Sequence, residues 1–289
     1  MPAVFLLFSS PASADLPLTV ENLLSDKGKL RLELSASYAN SERRGVETSD
    51  PVEIQTGANS FVYIPTLVGE RLSNSDALVT TAGIRYGLTK DTEIYARASA
   101  IGIDRRAETA SGDTLKDSES RFADAWLGVN QRIRDDADKP ALFVFGEIQA
   151  AERQDSGKNI YGKSLTAGFT TYQTYDPVVL SLTGAAQLNA TRKDGSTEHR
   201  PGNSLSLSPS VGFAVNDKVT LTTGLTWRLR QADNVDGKET GIRRTTTSLD
   251  LGLGYALGKR DTLNLSARPQ VSGNGDVQVV ANWIHRLEK

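Results

Sequence analysis

The chain has 289 residues and a formal net charge of −2, with 38% hydrophobic residues, 24% charged residues and no cysteine. The lack of cysteine excludes a disulfide scaffold, an iron–sulfur cluster and a cysteine-ligated zinc site, and the balanced charge gives no reason to expect a nucleic-acid partner. No apolar run reaches the roughly 18 residues of a membrane helix, but a membrane β-barrel needs only alternating strands of about 10 residues and keeps the mean hydropathy of a soluble protein.

The first 14 residues have features of a signal peptide. Residues 4–8 form a short apolar run, and Ala12, Ser13 and Ala14 make a small-x-small pattern of the kind found at cleavage sites. The basic residues that usually precede such a run are absent from the sequence, so an unstructured leader is the alternative. We predict that residues 1–14 are the remnant of a signal peptide that is removed after Ala14.

Residues 15–28 have the periodicity of an amphipathic helix. Asp15 suits its start and Gly28 its end. The apolar residues that share one helical face are Leu16, Val20, Leu23 and Leu24. Because so short a helix is marginal alone, we expect it to pack against another surface.

From Lys29 onward the period changes from helical to strict alternation. In the first segment Leu30 and Leu32 lie on one face, and Arg31 and Glu33 lie on the other. The pattern recurs along residues 29–289 and predicts about twelve strands. Tight turns alternate with longer polar segments, as in outer-membrane barrels.

The alternation alone fits either a soluble β-sandwich with the leucines inside or a membrane barrel with the leucines outside. The polar faces carry mainly Ser, Thr, Gly and Arg, while lysines concentrate in turns and loops. Tyr and Trp often fall near predicted strand ends, where aromatic girdles lie in membrane barrels. We therefore predict an all-β transmembrane antiparallel barrel of about 12 strands in the cell outer membrane, with lipid around it and the short N-terminal helix as a plug. A helix that rests on the membrane interface is the alternative for this segment.

In such a barrel the polar face lines the lumen. With Glu93 and Arg286 included, arginines outnumber acids nine to five at the predicted inward positions. This excess predicts either a mildly anion-favouring pore or a network of ion pairs that holds the lumen rigid. The predicted pore-lining residues are Arg31, Glu33, Arg85, Arg97, Asp124, Arg132, Glu147, Arg228, Arg230, Arg244, Asp250 and Arg268.

Catalysis is not expected. His199 lies in a polar loop with Ser196 and Ser204 nearby in sequence, which could form a nucleophile–base pair, but loop histidines are usually only solvated. No acidic spacing suggests metal ligands, so we expect neither a metal nor a cofactor. A further alternative is a surface adhesion or structural barrel that acts through its loops. For that alternative, residues 41–75 could contact a partner, fold into the barrel mouth or extend the first hairpin.

Three segments carry a resemblance to a known family: LPLTVENLLSDKGKLRLELSASYANS, TGANSFVYIPTLVGE and IRYGLTKDTEIYARA. They resemble a Gram-negative outer-membrane transporter family that includes the Fap functional-amyloid secretion channel and proteins named for meta-pathway phenol degradation. The resemblance implies a twelve-stranded barrel, occluded by an N-terminal helix and assembled as a trimer. It also implies secretion of functional-amyloid subunits as an alternative function. The predicted lumen, narrow and lined by arginine and aromatic residues, is compatible with passage of small aromatic acids, of other small solutes or of an extended polypeptide.

Overall fold

The computed structural model describes residues 24–44, 52–64, 72–108, 113–154, 157–272 and 276–287. Its main element is a closed antiparallel barrel of twelve strands, which confirms the predicted fold class. The strands are β1 (Leu30–Arg44), β2 (Leu72–Gly87), β3 (Thr92–Glu108), β4 (Thr114–Arg134), β5 (Ala141–Arg153), β6 (Ser164–Tyr175), β7 (Val178–Asn189), β8 (Ser204–Ala214), β9 (Val219–Arg230), β10 (Arg244–Ala256), β11 (Asp261–Pro269) and β12 (Val277–Leu287).

Each strand pairs with its neighbours in sequence, and β12 returns to pair with β1 from Leu30↔Leu287 to Asn40↔Val277. This last pairing closes the sheet and leaves no open edge, which is the condition for a sheet to cross a bilayer. The short turns after β2, β4, β6, β8 and β10 all lie at the end where β1 begins and β12 finishes. Because outer-membrane barrels have short turns on the periplasmic side and longer loops on the extracellular side, this is the periplasmic end.

The apolar residues face outward. Leu34 of β1 is 50% exposed and Leu180 of β7 is 47% exposed, whereas Thr166 of β6 and Thr220 of β9 are 0% and 1% exposed. A soluble sandwich would show the reverse pattern. The outer surface is therefore a band of leucine, valine and isoleucine for lipid, and the chain is a transmembrane barrel.

Several shorter strands do not belong to the twelve-stranded wall of the barrel. Val52–Gln55 pairs with Phe61–Ile64 as an antiparallel hairpin, which we call the lumen hairpin (residues 52–64). The loops after β7 and β9 join in a four-stranded antiparallel sheet, the rim sheet, at the extracellular end. Its strands are Arg192–Asp194, Thr197–Arg200, Asp233–Val235 and Lys238–Thr240, and a further two-residue strand, Asn159–Ile160, pairs with β5.

Some predicted boundaries change. The segment 107–119 reads as a polar loop, but β3 runs to Glu108 and β4 begins at Thr114, so these strands extend beyond the membrane band. The predicted signal-peptide remnant and most of the predicted helix, residues 1–23, lie outside the described residues. Residues 24–28 form a bend and a turn rather than the last turn of a helix, and Gly28 has a φ of 75°. The described residues contain no helix long and apolar enough to span a membrane.

The outward face gives a direct test of the membrane assignment. Leu225 lies near the middle of β9 and is 47% exposed. The Leu225→Arg variant is expected to lower the unfolding free energy of the protein by about 2–4 kcal/mol, because it places a charge in the hydrocarbon. Urea titration of the refolded protein in lipid vesicles measures this loss. The control is Ile242→Arg, since Ile242 is 73% exposed outside the strands. Equal stability of the two variants would contradict a lipid-facing Leu225.

Candidate functional site

The lumen hairpin crosses the inside of the barrel. It contacts Arg97 on β3 and Arg228 on β9, which are six strands apart in a ring of twelve and so lie on opposite walls. Ile54 and Ile64 of the hairpin are both 0% exposed. The hairpin is therefore an extracellular connection between β1 and β2 that folds inward and fills the lumen. Of the three alternatives for residues 41–75, extension of the first hairpin is confirmed for residues 41–44 and 72–75, which pair with one another, and folding into the barrel mouth is confirmed for residues 52–64.

One face of the hairpin is apolar. Ile54, Val62 and Ile64 pack against the inner wall formed by β1–β4. The wall residues of this cluster are Ala39, Ala77, Val79, Ile101, Ile103 and Ala123. Full burial of a Val or Ile side chain contributes about 1.5–3 kcal/mol, so this face holds the hairpin to one wall like a small hydrophobic core.

The tip of the hairpin is held by a buried ion pair. Arg97 Nη2 lies 2.8 Å from Glu147 Oε2 and donates to the Ser60 hydroxyl at 2.7 Å, and Ser60 donates in turn to Glu147 at 3.0 Å. Tyr95 also donates to Glu147, at 2.8 Å. On the far side, the Asn59 amide donates to the Ser204 hydroxyl at 3.3 Å. The tip is thus bonded to three strands of the barrel, β3, β5 and β8.

The other face of the hairpin is polar and aromatic. Glu53 accepts a hydrogen bond from Arg228, and the Phe61 ring centre lies 3.5 Å from the Arg228 guanidinium carbon. Tyr63 accepts from Arg228 Nη2 at 2.7 Å. Gln55 accepts from Arg268 of β11 at 2.8 Å. This face meets the basic wall of the barrel, opposite the apolar one.

A second constriction lies at the periplasmic end. Glu93 of β3 is 0% exposed, and its Oε2 accepts from both the backbone N–H and the hydroxyl of Ser25 at 2.7 Å. Arg85 and Asn130 donate to its Oε1 at 3.0 and 2.9 Å. The segment before β1 thus bends into the mouth of the barrel and is bonded to a buried carboxylate there.

The backbone at this mouth is also tight. The Gly28 N–H donates to the Gly87 carbonyl at 2.7 Å, and a Cβ at Gly87 would lie 2.1 Å from the Asp26 carbonyl oxygen. Only glycine permits this approach of the N-terminal segment to β2. Glycine at position 87 of the barrel wall is therefore required for the contact with the N-terminal segment.

The predicted pore-lining residues fall into clusters. Arg31, Glu33 and Arg85 form the periplasmic cluster with Glu93, and Arg85 Nε lies 2.7 Å from Glu33. Arg97, Asp124 and Glu147 surround the hairpin tip; there Asp124 accepts from the Trp126 indole at 2.9 Å. Asp250 and Arg268 form an ion pair at 2.6 Å. Arg228 and Arg230 contact Glu53 of the lumen hairpin. Arg244 lies opposite Arg230 in the pairing of β9 with β10. Arg132 differs, because it binds Asp91 and Asp135 of the short turns and so lies at the periplasmic mouth.

A cavity of about 570 Å³ opens between the lumen hairpin, β4, β5 and the rim sheet. Phe61 and Tyr63 form its aromatic side, and Arg121, Arg192 and Arg230 are among its basic residues. The volume lies in the usual range of about 300–1,000 Å³ for small-molecule sites. We call this cavity the extracellular vestibule.

His199 and Asp233 of the rim sheet also line the vestibule. Burial alone would raise the pKa of the Asp233 carboxyl. Hydrogen bonds from His199 and from the Gly202 N–H, together with the charge of Arg230, outweigh burial and lower this pKa to about 2. Asp233 is therefore a permanent anion beside Arg230, at 2.5 Å. His199 lies against Asp233, and Ser204 bonds instead to Asn59 on the lumen hairpin.

The lumen hairpin was missed as an element, but its signal is in the sequence. Residues 52–64 alternate on both sides of Thr56–Ser60, a polar stretch with glycine and asparagine that is typical of a hairpin turn. Val79, Ile101 and Ile103 also place large apolar side chains on the inward face, most of which is polar elsewhere in the barrel. Apolar residues on both faces of β2 and β3 near their extracellular ends indicate that a further segment of the chain packs against these strands inside the barrel.

A family model described as "Putative MetA-pathway of phenol degradation" matches residues 39–280.

The chain belongs to this family.

The matched segment begins within β1, ends within β12 and includes the lumen hairpin, so the family pattern covers the barrel and its occluding hairpin together. No curated protein matches the chain.

Solved structures with a similar fold include the COG4313 outer membrane channel from Pseudomonas putida F1. It aligns with a TM-score of 0.65 at 12% identity over 96% of this chain and 99% of that one. The translocator domain of the autotransporter NalP from Neisseria meningitidis aligns with a TM-score of 0.51 at 10% identity, over 93% and 92% of the two chains. The transport unit of the autotransporter AIDA-I from Escherichia coli also gives 0.51 at 10% identity, over 92% and 94%. These likenesses establish the barrel fold of the phenol-degradation family member.

The ion pair at the hairpin tip is expected to be important for stability. Changing Glu147 to Gln leaves the Arg97 charge buried without its partner, which costs about 3–5 kcal/mol of unfolding free energy. The matched control is Glu198→Gln, because Glu198 pairs with Lys193 on the exposed rim sheet and such solvent-exposed pairs contribute little to stability. Urea titrations followed by tryptophan fluorescence compare the two, and similar losses would contradict the buried role of Glu147.

Proposed function

We propose that this family member is an outer-membrane channel for small solutes, closed at rest by the lumen hairpin from the extracellular side and by the N-terminal segment from the periplasmic side. The observation that carries the proposal is the lumen hairpin, which spans a polar lumen and binds opposite walls through side chains rather than through the barrel's own backbone ladder. Such an element can leave without breaking the barrel.

The family and the fold support this proposal. The matched family is described by phenol degradation, a process that needs a small aromatic substrate to enter the cell. The structure from Pseudomonas putida F1 is an outer membrane channel of the same fold. An extended polypeptide, the cargo of the alternative secretion function, would need the whole lumen to clear, whereas a small solute needs only a local opening beside the hairpin. Small solutes are therefore the cargo that we propose.

The remaining parts of the sequence prediction stay within this proposal. We propose that residues 1–14 direct export, that residues 15–28 act as the periplasmic plug and that the predicted residues line the solute path. The contact between Ser25 and Glu93 supports the plug, because it anchors the end of that segment inside the mouth. The trimer remains a prediction from the resemblance.

Two constrictions in series give a distinctive conductance pattern. Replacing residues 52–64 by a short Gly-Ser linker, or deleting residues 15–27, should each raise single-channel conductance in planar bilayers. Because the resistances of the two constrictions add, the double variant should exceed either single variant severalfold. A heat-dependent mobility shift on electrophoresis checks that each barrel has assembled. Unchanged conductance in all three assembled variants would contradict the proposal.

The arginine excess predicts the ionic preference of the open pore. With KCl at different concentrations on the two sides of the bilayer, the reversal potential of the hairpin-replaced variant should have the sign of chloride preference, since rings of arginine favour anions. The matched control carries Arg31→Gln and Arg85→Gln as well, and its reversal potential should move toward zero. Clear cation preference of the hairpin-replaced variant would contradict this part of the proposal.

A further inference from the structure

Two neighbouring arginines of β9 share one inward face. Arg228 and Arg230 have side chains that are 4% and 10% exposed. In register, Arg228 lies between Ser206 of β8 and Thr246 of β10, and Arg230 pairs with Arg244. The wall directly beside the two charges thus supplies hydroxyl groups and a third arginine.

The acids that meet this pair come from outside the wall. Glu53 of the lumen hairpin bonds to Arg228 and lies 4.0 Å from Arg230 Nε. Asp233 of the rim sheet bonds to Arg230 at 2.5 Å. Among the described residues, the carboxylate paired with Arg228 is therefore the one that the hairpin brings. A buried guanidinium needs such a partner, because an unpaired buried charge is strongly unfavourable.

The hairpin brings aromatic rings to the same two arginines. The Arg228 guanidinium lies over Phe61 at 3.5 Å and within 5.9 Å of Tyr63, and that of Arg230 lies 4.8 Å from the Tyr63 ring centre. Cations are attracted to the faces of such rings, and the planar guanidinium also stacks on them. The lumen hairpin thus brings one carboxylate and two aromatic rings to the arginine pair, and Asp233 of the rim sheet supplies a second carboxylate to Arg230.

We propose that Arg228 and Arg230 form a binding site for small aromatic carboxylates, and that the lumen hairpin fills this site at rest with Glu53, Phe61 and Tyr63. An aromatic carboxylate carries both features in one molecule: an anion for the guanidinium fork and a flat apolar ring for its face. A ring without charge, or a carboxylate without a ring, replaces only half of the contacts. The inference rests on the proposed channel function only for its consequence, which is that the bound solute opens the channel.

The vestibule gives the ligand a route to this site. Phe61, Tyr63, Arg230 and Asp233 all line it, so a solute that enters from outside reaches the edge of the arginine pair while the hairpin is still docked. Ligand and hairpin then compete for the same guanidinium groups. By linkage, a ligand that binds only the undocked state shifts the population toward that state.

Calorimetry with benzoate as the probe tests the site. The Glu53→Gln variant removes the internal competitor, so purified Glu53→Gln protein in detergent is expected to bind benzoate about tenfold more tightly than the wild type at equal chloride. Benzyl alcohol and acetate, each with half of the features, are expected to bind at least about tenfold more weakly than benzoate to the same variant.

Arginine variants identify the residues that bind. In the Glu53→Gln background, Arg228→Gln should abolish benzoate binding, and Arg228→Lys should weaken it because the charge stays while the planar fork is lost. The control is Arg106→Gln, which removes the same charge from an exposed pair with Asp76. A heat-dependent mobility shift and an unchanged circular dichroism spectrum identify the folded variants, and Arg228→Lys keeps the test valid where Arg228→Gln does not assemble.

Several outcomes overturn the inference. Equal benzoate affinity of the wild type and Glu53→Gln would show that the hairpin does not occupy the site. Equal affinity for acetate and benzoate would show that the site does not select aromatic ligands. Benzoate binding retained in a folded Arg228→Gln variant would show that Arg228 does not bind the ligand. Planar bilayers separate the site from the channel. Current that rises with benzoate in the wild type supports both the site and the channel. Current that does not respond to benzoate overturns the opening of the channel by bound solute, and benzoate binding without any current overturns the proposed channel alone.

Discussion

A closed sheet of twelve strands encloses more space than its own inward side chains fill. Eight strands make an interior that side chains just occupy, while sixteen or more leave an open aqueous channel. At twelve, the interior must be completed by something else or remain a pore. Here the completing element is the lumen hairpin, and the lumen's other features follow from accommodating it: Val79, Ile101 and Ile103 turn one wall apolar, while Arg228 and Arg268 keep the opposite wall basic.

The interior charges are arranged in two different ways. Toward the periplasm, Arg31, Glu33, Arg85 and Glu93 all belong to the wall and pair with one another, and Ser25 of the N-terminal segment adds two hydrogen bonds to Glu93. In the extracellular half, the acid that pairs with Arg228 belongs to the hairpin. The ion pairs of the periplasmic cluster join wall residues only, whereas the pair between Arg228 and Glu53 joins the wall to the hairpin. The same residue types thus serve as scaffold at one end and as a releasable contact at the other.

The barrel was predictable from sequence because its signal is local. Alternation such as Leu30 to Glu33 indicates a strand, and the chemistry of the polar face, rich in hydroxyls and arginine but poor in lysine, indicates which side meets lipid. The inward orientation of Arg97 and Arg228 follows from the same two-residue period. The site itself needed the tertiary structure, because Glu53 and Arg228 are far apart in sequence and no periodic pattern links a loop to the wall that it meets. Arg132 shows the limit of the period: near a bulge at the end of β4 its side chain turns to Asp91 and Asp135 of the short turns.

Glu53 is part of the same chain as the arginines that it binds, so its concentration at the site is fixed by its tether and does not depend on how much protein is present. Short flexible tethers give effective concentrations of about the millimolar range. A free carboxylate that competes with Glu53 must approach that level before it displaces the hairpin. On the proposed function, the tether sets a threshold: the channel stays closed at trace amounts of solute, and its permeability rises only when the free carboxylate approaches that concentration.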